Sequence, residues 1–88
     1  MDLATVKSYL DVIHDADDDK IELLLEAAED EALRFCNLDS SPSEIPASME
    51  MGILLLVQAN YQAQPSEIEI LRKAAEYKLM PYRVEIGV

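Results

Sequence analysis

Five consecutive aliphatic residues, Ile53-Leu54-Leu55-Leu56-Val57, lie inside the stretch MEMGILLLVQANYQA from Met49 to Ala63, whose only charge is Glu50. Such a run cannot sit on one face of a helix. At about 100° per residue, Met49, Ile53 and Leu56 share one side, Leu55 and Ala59 point to a second, and Leu54 and Tyr61 to a third. A helix that is apolar nearly all round must be covered nearly all round. It is too short to span a bilayer, and Gln58, Asn60 and Gln62 interrupt its last turns. The expectation is a central helix wrapped by the rest of its own chain, alone or together with a neighbouring copy.

Little chain remains to do the wrapping. Eighty-eight residues make one small domain with a modest core, which association with other chains would extend. Half the residues are hydrophobic, which argues for a packed globule, and two glycines in the whole chain favour helices over a turn-rich β fold. The formal charge is −11 and unevenly placed: residues 1–44 hold 13 acids and 3 bases, whereas residues 45–88 hold 5 acids and 4 bases. Binding to a nucleic-acid backbone needs clustered Lys and Arg, and no stretch supplies them. The single cysteine, Cys36, has no internal partner for a disulfide and fits a reducing compartment. Met1-Asp2 opens without a basic region or an apolar core, so a soluble protein made in the cytoplasm is expected, with no membrane partner.

In chain order, Asp2 can cap a short helix from about Leu3 to Asp11, with Leu3, Val6 and Leu10 at helical spacing. His14 is the only histidine and reads as a loop residue. A second helix is expected from Asp17 or Asp18 to about Cys36. Ile21, Leu24, Leu25, Ala28, Ala32 and Phe35 form its core stripe, its early acids suit the helix dipole, and Asn37 suits a left-handed stop. Leu23 and Ala27 fall off that stripe, either as scattered surface residues or as a subunit contact.

Residues 38–46, LDSSPSEIP, form a polar loop. Pro46 suits the first position of the central helix, and Gln64-Pro65 closes it. Ser66 and Glu69 have capping-box spacing for a fourth helix running to about Leu79, with Ile70, Leu71, Ala74 and Ala75 facing inward. Pro81 stops that helix. In the tail, Val84, Ile86 and Val88 alternate with Glu85 and Gly87, the period of a strand. No other segment looks like a strand, so the tail is either a frayed end or a segment that engages another chain. The expected organisation is an all-α, four-helix domain over residues 1–81 with an extended C-terminal tail over 82–88.

Three chemical patterns fail on inspection. Asp15, Asp17, Asp19 and Glu26 occupy positions 1, 3, 5 and 12 of a calcium-binding EF-hand loop, but Lys20 stands where that loop requires glycine and Glu22 where it requires an apolar residue. Asp39-Ser40 in a small acidic chain is reminiscent of the attachment site of acyl carrier proteins, yet Ser41 and Pro42 follow instead of an apolar residue and a helix. There is no glycine-rich phosphate loop, no paired nucleophile and base, and no metal-ligand spacing. Neither catalysis nor a cofactor or metal is expected.

Ile45-Pro46 followed by Gly52-Ile53-Leu54-Leu55-Leu56-Val57-Gln58-Ala59-Asn60-Tyr61, and the ending Leu79-Met80-Pro81-Tyr82-Arg83, together resemble the small phage head–tail connector (adaptor) proteins. Their central helix starts at a proline and carries an aliphatic run before a tyrosine, and they close on Leu-Leu-x-Pro-Tyr-Arg. The first helix with Val6-Lys7-Ser8-Tyr9-Leu10, the acidic loop and the long second helix fit the same layout. Two departures stand out. Residues 61–79 lack the family's usual glycine-containing turn, and the loop at 38–46 is short.

The resemblance implies a non-enzymatic virion component at the head–tail junction, assembled in the host cytoplasm. It would form a ring, usually of about twelve copies in closed cyclic symmetry, beneath the portal protein. The ring would extend the DNA channel without sequence-specific binding and dock a neck, stopper or tail protein. Leu23, Tyr82, Arg83, Val84 and Ile86 are the candidate contact residues; the simpler alternative is that Tyr82 packs back on the last helix and Arg83 is solvated. The competing function is a small acidic carrier or adaptor of the acyl-carrier type.

Overall fold

A computed structural model describes residues 1–84. Four α-helices follow in order, α1 (Leu3–Leu10), α2 (Asp18–Cys36), α3 (Ala47–Tyr61) and α4 (Pro65–Leu79), and a 3-10 turn, Met80–Tyr82, continues directly from α4. The described residues contain no strand. The body is flattened, 46 × 31 × 18 Å.

The helix ends follow local chemistry. The Asp2 carboxylate accepts the Thr5 backbone N–H at 2.8 Å and caps α1, which holds the Asp2 carboxyl below the usual carboxylate range. Asp11 (φ 60°) and Asn37 (φ 59°) end α1 and α2 in the left-handed conformation that short polar side chains tolerate. Pro46 lies one residue earlier than expected, as the cap of α3. The capping box of α4 lies two residues earlier as well. Gln64 and Glu67 close it, with the Gln64 N–H donating to Glu67 Oε1 at 3.0 Å. Gln64-Pro65-Ser66-Glu67 and Ser66-Glu67-Ile68-Glu69 offer the same spacing. The earlier pair wins because Pro65, with no N–H to satisfy, fits the first helical position.

α3 is central. Met49, Gly52, Ile53, Leu54, Leu56, Val57 and Ala59 are all buried along it, and Leu55 is half-buried. α2 covers it with Ile21, Leu25, Ala28, Ala32 and Cys36; α4 contributes Ala75 and Leu79; α1 adds Val6 and Leu10. Each large aliphatic side chain buried this completely contributes about 1.5–3 kcal/mol. The chain therefore covers its own central helix.

The closest approach is between α3 and α4 at Gly52. A Cβ there would come within 2.8 Å of Leu79 Cγ and 3.3 Å of the Ala75 carbonyl oxygen. That contact fixes the rotation of α4: Ala75 and Leu79 face inward. Ile70 lies five residues before Ala75, about 140° around the helix, and so points to solvent, 68 % exposed. The inward placement expected for Ile70 is thereby overturned.

Candidate interaction surfaces

The acidic segment between α1 and α2 is committed to internal ties. Lys7 Nζ lies 2.8 Å from both Asp15 Oδ1 and Asp18 Oδ1. Hydrogen bonding to Lys7 lowers the Asp15 pKa, and the same bonds raise that of Lys7. The Tyr61 hydroxyl donates to Asp17 Oδ2 at 2.6 Å, joining the end of α3 to the start of α2 and pushing the phenol pKa up. The Lys20 ammonium sits 5.7 Å from the centre of the Tyr61 ring. On the other side of α1, the Tyr9 hydroxyl donates to Gln58 Oε1 at 2.7 Å. Asp15 and Asp17, the first two acids of the EF-hand spacing, thus clamp α1 and α3 to the start of α2, and Ile21, inside that would-be loop, is a fully buried residue of α2.

Ser40 lies in the exposed loop between α2 and α3, and no helix opens at it. Among the described residues no group of three or more His, Cys, Asp or Glu side chains is placed to hold a metal ion. Among them, too, no helix is long and apolar enough to cross a membrane. Cys36 is buried; its thiol donates to the Leu79 carbonyl at 3.6 Å, and burial pushes its pKa up.

The sequence-derived contact residues fall into two groups. Leu23 stands on the outer face of α2, 65 % exposed, among Asp19, Glu26 and Asp30. Tyr82, Arg83 and Val84 lie elsewhere, at the C-terminal end of the same helix. Tyr82 is half-buried against the core, and the Arg83 guanidinium is 5.2 Å from the centre of the Phe35 ring. The Val84 N–H donates to the Cys36 carbonyl at 2.8 Å, and Asn37 Nδ2 donates to the Val84 carbonyl at 2.7 Å. The first residues of the tail therefore latch onto their own chain at the end of α2. Asn37 does two jobs there, ending the helix and holding the segment that returns to it. The exposed edge of this latch is Val84, at 47 %. Ile86 lies outside the described residues.

A further apolar surface had no counterpart in the sequence reading. Along the outer face of α4, Ile70 (68 % exposed) and Tyr77 (79 %) stand two turns apart, with Lys73 between them and Met80 at the end. The signal was present as Tyr77 at i+7 from Ile70, but without the rotation set at Gly52 the pair could equally be assigned to the core. Arg72, on the flank of α4 that faces α2, pairs with Glu31 and spans the shallow hollow lined by Phe35, Leu56 and Leu79.

A small helical body that closes its core on itself, ties its acids into structural clamps and leaves large apolar side chains outside has the make-up of a protein-contact module. The chain matches the family model of the Phage gp6-like head-tail connector protein over residues 1–84, and it belongs to that family. Membership makes it a structural phage protein of the head–tail junction, a virion component that works through contacts with other head or tail proteins. No match is found among curated proteins or solved structures.

Proposed function

We propose that this chain is a ring-forming connector subunit that sits beneath the portal, extends the DNA channel and presents a docking surface to the next neck or tail protein. Family membership across residues 1–84 carries this reading. Two physical features support it. The monomer is complete in its core, yet it leaves Leu23, Ile70 and Tyr77 well exposed on helix faces, a surface suited to burial against other subunits. Its net charge of −11 gives DNA no counterion release to drive binding, so a duplex would pass along the acidic surface without adhering.

Within this proposal the latch at Tyr82–Val84 shapes one contact surface, and the residues beyond it reach the portal or a neighbouring subunit. A ring of about twelve copies is the expected closed form. Electron microscopy and native mass spectrometry of the purified chain, alone and with the portal protein of the same phage, test it. Rings in either sample support the proposal. A strict monomer that never binds portal overturns it.

A further inference from the structure

We infer that the ring contact is heterologous: the outer face of α4 on one copy, centred on Ile70 and Tyr77, docks on the outer face of α2 on the next, centred on Leu23. This deepens the ring proposal and rests on it. Both faces are apolar at the centre and exposed, while α2 and α4 each pack their inner face on α3. They are also chemically different. α2 holds seven acids and two bases, a net charge of −5, whereas α4 holds three acids and three bases, a net charge of zero, with Lys73 and Lys78 exposed along its length.

The α2 face pairing with its own copy would bring like charges together. α2 on α2 would oppose two acidic helices, whereas α4 is neutral overall and its exposed Lys73 and Lys78 find more opposite charge on an acidic helix than on a second α4. Pairing α4 with α2 instead sets Lys73, beside Ile70 and Tyr77, among Asp19, Glu26 and Asp30, beside Leu23 and Ala27. On the isolated chain Lys73 and Asp30 make open pairs within their own helices, Lys73 with Glu69 and Asp30 with Arg34, each at 3.6 Å and largely exposed. Such pairs cost little to rearrange. A contact between two different faces is also the kind that propagates from subunit to subunit and closes into a ring, whereas a self-complementary patch stops at a dimer. The complementary partner that these two faces fit is a second copy of this chain.

The test uses two full-length variants. Ile70→Glu with Tyr77→Glu blocks the α4 face, and Leu23→Lys with Ala27→Lys blocks the α2 face; all four positions are exposed. In native mass spectrometry with and without portal, each variant alone is expected to lose the ring. An equimolar mixture is expected to give a one-to-one heterodimer that goes no further, because one good α4 face and one good α2 face remain. Rings from either variant, while the unaltered chain forms them, overturn this contact and leave the ring proposal standing. So does a homodimer of the α2-blocked variant, which would mean that α4 pairs with itself. Absence of rings from the unaltered chain under both conditions overturns the ring proposal and this contact with it.

Circular dichroism checks that the variants fold. If one does not, Leu23→Cys with Tyr77→Cys in the same chain provides the second reading. Oxidation of the assembled protein should yield a ladder of covalent oligomers, and each single-cysteine variant should yield none. Cys36, at 0 % exposure, does not compete. A double-cysteine chain that forms rings without a ladder overturns the contact.

Discussion

α3 and α4 are helices of equal length, 15 residues each, that use their apolar residues in opposite ways. α3 carries one charge and is covered by its own chain. α4 carries three acids and three bases, buries only Ala75 and Leu79 completely, and turns Ile70 and Tyr77 outward. The more hydrophobic helix is thus the less available for contact. Hydropathy along a sequence measures what must be covered, whereas topology decides whether the chain itself provides the cover. Here α1, α2 and α4 cover most of α3, and apolar surface left outside lies on the outer faces of α2 and α4, at Ile13 between α1 and α2, and in smaller measure at Met51 and Val84.

The difference can be broken most severely at the seam between the two helices. Leu79→Ala should destabilise the fold by about 2–5 kcal/mol, the range for removing a fully buried leucine from a packed core; chemical denaturation measures it. Gly52→Ala should come next. Alanine is ordinarily the better helix former, by roughly 0.5–1 kcal/mol. Here its Cβ would press on Leu79 Cγ at 2.8 Å and on the Ala75 carbonyl oxygen at 3.3 Å, and Leu79 is 1 % exposed. Overpacking of about 1–3 kcal/mol should exceed the propensity gain and give a net loss. Combining the two substitutions should cost less than their sum, because the shortened side chain at 79 makes room for the new methyl. A stabilised Gly52→Ala would mean that α4 can rotate or shift more freely than the seam implies.

A smaller effect concerns the clamp at the end of α3. The hydrogen bond to Asp17 raises the Tyr61 pKa above its ordinary value of 10.0, so its contribution to stability is present below that pH and is lost as pH rises through the folded-state value. Tyr61→Phe should therefore flatten part of the stability loss that sets in as pH rises past about 10, read from urea midpoints from neutral pH upward. Tyr9 and Cys36, raised by burial, and Lys7, raised by its bonds to Asp15 and Asp18, retain alkaline losses of their own. An unchanged alkaline profile would count against the Tyr61–Asp17 bond.

The smallest expected effect on stability is on the outer face of α4. Ile70→Ser with Tyr77→Ser should leave the melting temperature nearly unchanged, since substitutions at exposed sites are usually within about 0.5 kcal/mol each. Differential scanning calorimetry checks this. The same pair should nonetheless abolish assembly, which is the reverse of the behaviour expected at Gly52.

Much of this organisation was legible in the residues. The stripe Ile21, Leu24, Leu25, Ala28, Ala32 and Phe35 is buried or half-buried throughout, and Asp2 and Asn37 end their helices as their side chains suggest. Errors arose where two local solutions have the same spacing and only tertiary contact chooses between them. Gln64 with Glu67 and Ser66 with Glu69 are equivalent on paper. Ile70 and Leu71 could each begin an inward stripe, and the choice is made by a missing side chain on another helix, at Gly52. The contact residues show the same limit. Leu23 could be placed outward from helical spacing alone, but the latch from Asn37 and Cys36 to Val84 joins positions 47 and 48 residues apart, and no local pattern announces it.

The central claim is that the fold is self-sufficient and that assembly resides in the outer faces of its helices. Native mass spectrometry of the full chain beside its Ile70→Ser, Tyr77→Ser variant, each alone and with portal protein, tests it most directly. The account predicts rings from the unaltered chain and a folded monomer from the variant. Rings of the same mass from both would contradict it.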